Sequence, residues 1–516
     1  MAESRVQKTL LNAKVNLIFY FLNLAVTFFS RKVFLDSLGA DFFGLTSTIG
    51  GFISFLSLVE LGIGSAIGFT LYKPMFEKDY KKLNEIISVL GYLYYLVGFV
   101  ILGCAIILAC TFPFLFEGKN VSLLLVYAVF ITFLTGVLLT YFVNYRQSII
   151  SADQRSYVVT GGTQAASILC YIFQWITVYY TNNPYLWLAI FFMSNIGCAI
   201  YINVKINKMY PWLDAKISLG RQKWKEYPEV IKKTKQLFLH KIAYFAQLQM
   251  RPLIMFNFAS LESIGKYDNY NLTTGKTSSL ITYVLSGNLA GVGNLVAEGD
   301  KSNIHKVYWE LFALKFFIAG VLSFGLWYLT EPFLTCWLGE EYLLTKQLLL
   351  LIIINEFIIQ TRYSTDAFIS AYGLFQDVWA PVTEAIISVI VAVVGGYFWG
   401  LEGVLLGTIV SMSIIVGIWK PYFLFSRGFN SSVIPYWTNY LKYILCFAST
   451  FFISTHIIKF ISINPSESFL CWFIYAVIIV LIFAILYATV LYSLTKGTRD
   501  LFQRFLPKLS GKFSKK

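Results

Sequence analysis

The sequence predicts an all-α polytopic membrane protein: about fourteen transmembrane helices, two parallel-repeat six-helix lobes around a central cavity, and two further C-terminal helices. Three observations carry that prediction. Apolar stretches of span length recur from one end of the 516 residues to the other. Lys and Arg gather in alternate gaps between them. Two distant segments share one pattern at a nearly constant offset.

The apolar stretches set the class. Hydrophobic residues make up 57% of the chain, aromatic residues 18%, and charged residues only 13%. Ordinary soluble domains carry about 25% charged residues. A helical span needs roughly 20 residues, which places spans near 14–37, 43–72, 86–112, 121–146, 157–180, 185–207, 236–258, 266–296, 306–331, 343–371, 378–399, 402–425, 437–461 and 469–494. No gap accommodates a soluble domain, and the longest, 208–235, is strongly basic. The opening MAESRVQKTLLNAK leads straight into the first span, so no cleaved signal peptide is expected. The seven Cys lie within or at the ends of apolar segments without CxxC or Cys/His spacing, and the three His are scattered. No metal or cofactor is expected from them.

Charge orients the spans. With both termini cytoplasmic, 32 of the 41 Lys and Arg fall on inside segments. The net charge of +14 then reads as a topology signal rather than a nucleic-acid surface. The basic 208–235 linker and the tail KGTRDLFQRFLPKLSGKFSKK are expected against anionic membrane lipids.

The repeat divides the chain. GLTSTIGGFISFLSLVELGIGSAIGFTLYKPMFEKD, Gly44 to Asp79, matches GKYDNYNLTTGKTSSLITYVLSGNLAGVGNLVAEGD, Gly265 to Asp300, at an offset of 221. Ile150-Ser151-Ala152 recurs as Ile369-Ser370-Ala371 at 219. Six spans separate the copies, so they share one orientation, a build used by alternating-access transporters. The expected parts are an N-lobe 1–207, a cytoplasmic linker 208–235, a C-lobe 236–425, extra spans over 437–494 and a basic tail 495–516.

Polar residues trace one face of two matching spans. Asn16, Tyr20, Asn23, Thr27 and Arg31 recur at every third or fourth residue of span one; Gln236, His240, Tyr244, Gln247 and Arg251 do so in span seven. Arg31 maps onto Arg251. Lipid cannot satisfy such stripes, so each must face protein or water. An Arg at mid-membrane costs about 2.5–3.5 kcal/mol on insertion scales. Arg31 and Arg251 lie roughly 9 and 10 Å inside their spans. Each either snorkels to the outer headgroups or lines a water-filled cavity between the lobes. Lys276 sits roughly 15 Å deep in span eight, beyond easy snorkelling, on a face with Asn269, Thr273 and Tyr283. Lys32 lies about 100° round the helix from Arg31 and faces either headgroups or a neighbouring helix.

The acidic residues of the spans are fewer. Glu60 reads as a proton or Na⁺ site, a partner for a cavity cation, or a buried structural carboxylate. Glu356 shares span ten with Arg362 and Asp366, whose i,i+4 spacing suits an ion pair. Glu384 lies near the inner end of span eleven. A cavity with Arg31, Arg251 and Lys276 on its outer half would repel organic cations and attract an anion. Guanidinium groups pair with phosphate through two parallel hydrogen bonds, and the amide, hydroxyl and aromatic lining suits sugar hydroxyls.

These residues resemble a family. SRKVFLDSLGADFFGLTSTIGGFISFLSLVELGIGSAI, the following EKD and the two-lobe repeat are similar to the multidrug/oligosaccharidyl-lipid/polysaccharide flippase superfamily, and within it to the Wzx-like polysaccharide flippases of the MOP/MATE-like fold. The resemblance covers spans one to twelve. It implies a bacterial inner-membrane flippase, not an enzyme, for an undecaprenyl-pyrophosphate-linked oligosaccharide used in O-antigen, capsule or exopolysaccharide assembly. It also implies other polysaccharide-assembly proteins as partners, and no nucleic acid. In lipid II flippase relatives, Arg residues on the first span engage pyrophosphate and the extra C-terminal helices shape a lipid-tail groove. By resemblance those roles fall here to Arg31, with Arg251 as its repeat mate, and to spans thirteen and fourteen. The rival within the fold is a MATE-type drug/cation antiporter, which wants cavity carboxylates; Glu60 supports it. Membrane polymerases and ligases resemble chains with a large external loop, and the external gaps here are about a dozen residues or fewer.

Overall fold

The computed structural model describes residues 5–57, 70–71, 74–119, 121–153, 155–228, 251–285, 292, 295–296, 298–374, 376–377 and 379–513, with side chains outside 5–17, 20, 280–285 and 505–513. Every element among the described residues is helical. The helices of seven or more residues are α1 (Arg5–Leu56), α2 (Tyr80–Leu115), α3 (Leu123–Phe142), α4 (Ser156–Thr181), α5 (Pro184–Met209), α6 (Ile217–Lys223), α7 (Arg251–Phe258), α8 (Leu261–Leu285), α9 (Lys301–Trp337), α10 (Lys346–Ala371), α11 (Trp379–Ile414), α12 (Ile434–Ile458), α13 (Phe469–Leu494) and α14 (Lys496–Phe513). Eight helical stretches among the described residues are long and apolar enough to cross a membrane; one of them, Trp379–Gly428, covers two predicted spans. The chain is an all-α polytopic membrane protein. Helices α4 and α8 are not among those eight, because polar residues lower their hydropathy, and α1 shares their polar side chains. Those helices carry the polar side chains of interest.

Local sequence explains the helix ends. Ser122, Asn183, Thr345 and Ser468 cap α3, α5, α10 and α13 by accepting backbone N–H bonds in the first turn. The two repeat copies close on the same device. Lys78 and Gly299 take positive φ values of 56° and 78°. The next residue of each, Asp79 or Asp300, then caps α2 or α9 through its carboxylate. Each carboxylate also meets the positive end of a helix dipole. The second shared triplet ends helices as well, at Ala152 and Ala371.

The chain forms two compact units, 1–265 and 266–516. In the first, α1 breaks sharply at Gly39, whose φ of 80° and ψ of 168° suit only glycine. The turn between predicted spans one and two is therefore a single residue. The second arm of α1 packs on α7 and the start of α8. A Cβ on Gly44 would overlap the Leu261 carbonyl, and Gly265 packs against the Ala40 carbonyl and the Gly44 nitrogen. The opening glycines of both repeat copies thus meet backbone to backbone. Part of the basic linker packs on protein: α6 seats Gly220 against the Ser88 carbonyl, Lys216 N donates to Ser88 Oγ at 3.0 Å, and Tyr227 donates to Glu85 at 3.1 Å. At the end of α5, burial pushes the Tyr210 hydroxyl above its usual pKa, and the Asp153 carboxylate that accepts its proton at 2.9 Å adds to the shift.

In the second unit α9 is the hub. Phe312, Phe316 and Phe324 are fully buried. Phe324 stacks on Phe483 of α13 with centroids 4.2 Å apart, and Gly320 leaves room for the Tyr487 ring. Helix α11 turns at Gly400 (φ 57°, ψ −131°), and its two arms approach through Gly395 and Gly403. Beyond α11 the helix continues as π-helical Ile415–Trp419, α-helical Lys420–Phe423 and π-helical Leu424–Gly428.

Candidate functional site

Within the first unit, the polar stripe of α1 meets a second stripe on α4. The Asn23 side-chain amide donates to the Gln164 amide oxygen. Two residues after Thr27, Phe29 makes an edge contact with Trp175 of α4, ring centroids 4.2 Å apart. Arg31 is half-buried, its guanidinium carbon 3.8 Å from the centre of the Phe43 ring across the Gly39 turn. It also interacts electrostatically with Tyr171 of α4. Stacking engages the face of a guanidinium, whereas its N–H donors lie in its plane. Lys32 is exposed. Arg251 is half-buried at the start of α7, next to Pro252, which packs on Gly51 of α1. The side chains of Asn16 and Tyr20, and residues Glu60, Gln236, His240, Tyr244 and Gln247, lie outside the described residues.

The α4 stripe escaped the sequence reading. Thr160, Gln164, Ser167, Tyr171, Gln174 and Val178 step by three or four, the same helical period that marks span one. Its inner members are tied down locally: Ser167 donates to the Thr163 carbonyl at 2.9 Å and Gln174 to the Trp187 carbonyl at 3.1 Å.

Within the second unit, Lys276 is half-buried on α8. Thr273 and Thr277 turn their hydroxyls onto the helix backbone. Ser278, two residues after Lys276, donates to the buried Glu356 carboxylate at 2.5 Å. Asp366 accepts from Arg362 Nε at 2.7 Å and from Lys420 Nζ at 2.8 Å. The i,i+4 pair is thus a three-residue network, whose third member, Lys420, opens the short α-helical turn after the first π segment. Glu384, buried on α11, adds a longer-range attraction for Arg362. Lys315 of α9 was not singled out by sequence. It is 1% exposed, with its ammonium 3.7 Å from the centre of the Tyr363 ring, a cation–π contact that strengthens when desolvated.

An apolar cavity of about 1050 Å³ opens in the same unit. Trp327 of α9, Ile354 and Phe357 of α10, Val416 of the first π segment, and Tyr440 and Phe451 of α12 are on its wall, with Arg362 as its one charged lining residue. Predicted span thirteen (α12) therefore lines it. Predicted span fourteen (α13) contributes no lining residue and instead packs its Phe483 and Tyr487 onto α9. Among the described residues, no group of three or more His, Cys, Asp or Glu could hold a metal ion.

No family model matches the chain, and no curated protein matches it by sequence. Solved structures do match in fold. The lipid II flippase MurJ in an inward closed conformation superimposes with a TM-score of 0.64 at 16% identity, covering 92% of this chain and 98% of MurJ. An inward-facing multidrug resistance MATE family transporter of the MOP superfamily matches with a TM-score of 0.58 at 11% identity, over 81% of this chain and 97% of the transporter. The fold is that of these two membrane transporters.

Proposed function

We propose that the chain is a transporter, a flippase that carries a polyprenyl-pyrophosphate-linked oligosaccharide from the cytoplasmic to the outer leaflet of a bacterial inner membrane by alternating access, for surface polysaccharide assembly. The observation that supports it most is Arg31: a half-buried guanidinium in a membrane helix, stacked on Phe43, on a fold shared with a lipid II flippase. A pyrophosphate offers paired oxygens to a guanidinium fork. Arg251 and Lys276 extend the same chemistry to two more helices. Asn23 and Gln164 are an amide pair suited to hydroxyl-rich ligands, and the apolar cavity suits a segment of isoprenoid chain.

In this reading the headgroup enters from the cytoplasmic side while the lipid tail stays in hydrocarbon. Phosphates pair with the cations, the lobes rock, and the headgroup leaves outward. Outward movement of a negative headgroup is driven by an inside-negative potential, at about 2.3 kcal/mol per charge for each 100 mV.

The test is surface glycan in cells that lack their own flippase and carry Arg31→Ala, Arg251→Ala or Lys276→Ala at normal protein levels. Glycan is expected to fall at least tenfold for Arg31→Ala, with Arg31→Lys intermediate because it keeps the charge and loses the fork. Export unchanged in all three Ala variants rejects the proposal. The MATE likeness and the buried Glu356 favour a second reading, cation antiport. Cation efflux abolished by Glu356→Gln, with glycan untouched by Arg31→Ala, would select it.

A further inference from the structure

A second, smaller cavity of about 490 Å³ lies at the Lys/Arg-rich end of the second unit. Three elements build it. The first turns of α9 supply Ser302, His305 and Lys306; α12 supplies Asn439; the start of α14 supplies Lys496 and Asp500. The amides at the α9 N-terminus are not the attraction, since Asp300 already takes Ser302 N and Asn303 N. The attraction is the pair of ammonium groups, opposed by the one carboxylate of Asp500.

Helix α14 is held in place. Arg504 Nε bonds Glu310 Oε2 of α9 at 3.0 Å, where the Glu310 side chain is 3% exposed. Gly497 sits against the Trp309 carbonyl, where a side chain would clash, and Thr495 and Thr498 join hydroxyls at 2.7 Å. The roof of the cavity is therefore a docked helix. The segment is also amphipathic in sequence: Leu501, Phe502, Phe505, Leu509 and Phe513 recur at helical spacing among Lys496, Arg499, Arg504, Lys508 and Lys512. Phe502 and Tyr492 are exposed and meet edge to face at 5.5 Å, an aromatic pair of the kind found at headgroup level. Exposed aromatic side chains beside a basic polar cavity are the arrangement of an interfacial lipid site.

We propose that this cavity binds the phosphate-bearing headgroup of an anionic phospholipid, with Lys306 and Lys496 on the phosphate and with Ser302 and Asn439 as hydroxyl and amide partners. The exposed Phe502 and Tyr492 lie beside the acyl chains. The site is separate from the substrate cations of the proposed flippase and does not depend on that reading.

The full chain in zwitterionic nanodiscs, labelled with a headgroup-photoreactive phosphatidylglycerol, tests it. Crosslinks are expected on 302–309 and 496–500, displaced by phosphatidylglycerol and not by phosphatidylcholine or millimolar inorganic phosphate. Each cation removed should weaken labelling about fivefold, and Lys306→Gln with Lys496→Gln roughly thirtyfold. Asp500→Asn, which leaves the Arg504–Glu310 pair alone, should strengthen it. Equal displacement by phosphatidylcholine overturns the proposal. Displacement by inorganic phosphate overturns the lipid and leaves a site for a free anion. Should the double variant lose its fold, Asp500→Asn decides alone, and unchanged or weaker labelling rejects the site.

Discussion

The two units use their interiors differently. In the first, α4 buries only Cys170, Gln174 and Val178, and its notable contact is an amide pair with α1. In the second, α9 buries residues along its whole length, from Ile304 to Trp337, inside an aromatic core that joins α10, α12 and α13. The lightly packed α4 carries polar chemistry; α9 carries packing, with the Arg362–Asp366–Lys420 network on helices beside it. In lipid there is no hydrophobic force between helices, so tight association must come from close van der Waals fit. The aromatic core supplies that fit, and the polar helices are left to hold groups that a ligand can use.

Substitutions can break or sharpen this contrast. Phe316→Ala should have the largest effect, about 3–5 kcal/mol of stability, read as loss of folded protein on heating in detergent. Gly44→Ala comes next. Its methyl overlaps the Leu261 carbonyl, a backbone atom that cannot swing aside, and an overpacking cost of about 1–3 kcal/mol should appear in the same assay. Gln164→Leu should cost only about 0.6 kcal/mol, the average for a polar pair between membrane helices, while glycan export falls more than stability explains. Lys32→Ala should be smallest, within about 0.5 kcal/mol as for exposed sites, with export unchanged. An equal export defect in Lys32→Ala and Arg31→Ala would erase the distinction between the two neighbours.

Much of the fold was legible because its signals are periodic. Apolar runs marked the spans, and the repeat foresaw that Asp79 and Asp300 occupy equivalent places, which are helix caps. The Gly39 turn was harder to read. One glycine with positive φ replaces a loop, and nothing in LDSLGADFF announces how abruptly the helix ends. Span one's stripe was visible because it ends on an Arg. The α4 stripe has the same period but no charge to draw attention. Lys315 stood in an apolar stretch and was passed over, since its aromatic partner, Tyr363, lies 48 residues away. The partner of Asp366 in Lys420 depends on tertiary structure alone.

The π-helical stretches flanking Lys420 have a genetic meaning. A π turn closes its hydrogen bonds over five residues instead of four, so each stretch absorbs one residue more than a regular helix would. Ile415–Trp419 therefore behaves as a retained insertion. Deleting a single codon there would restore a regular α-helix and leave Lys420 on the face that meets Asp366, because the wide turn already absorbs the extra residue. A frame-preserving deletion, which in an unbroken helix turns every following residue by about 100°, would at this place keep the third member of the charged network with the other two.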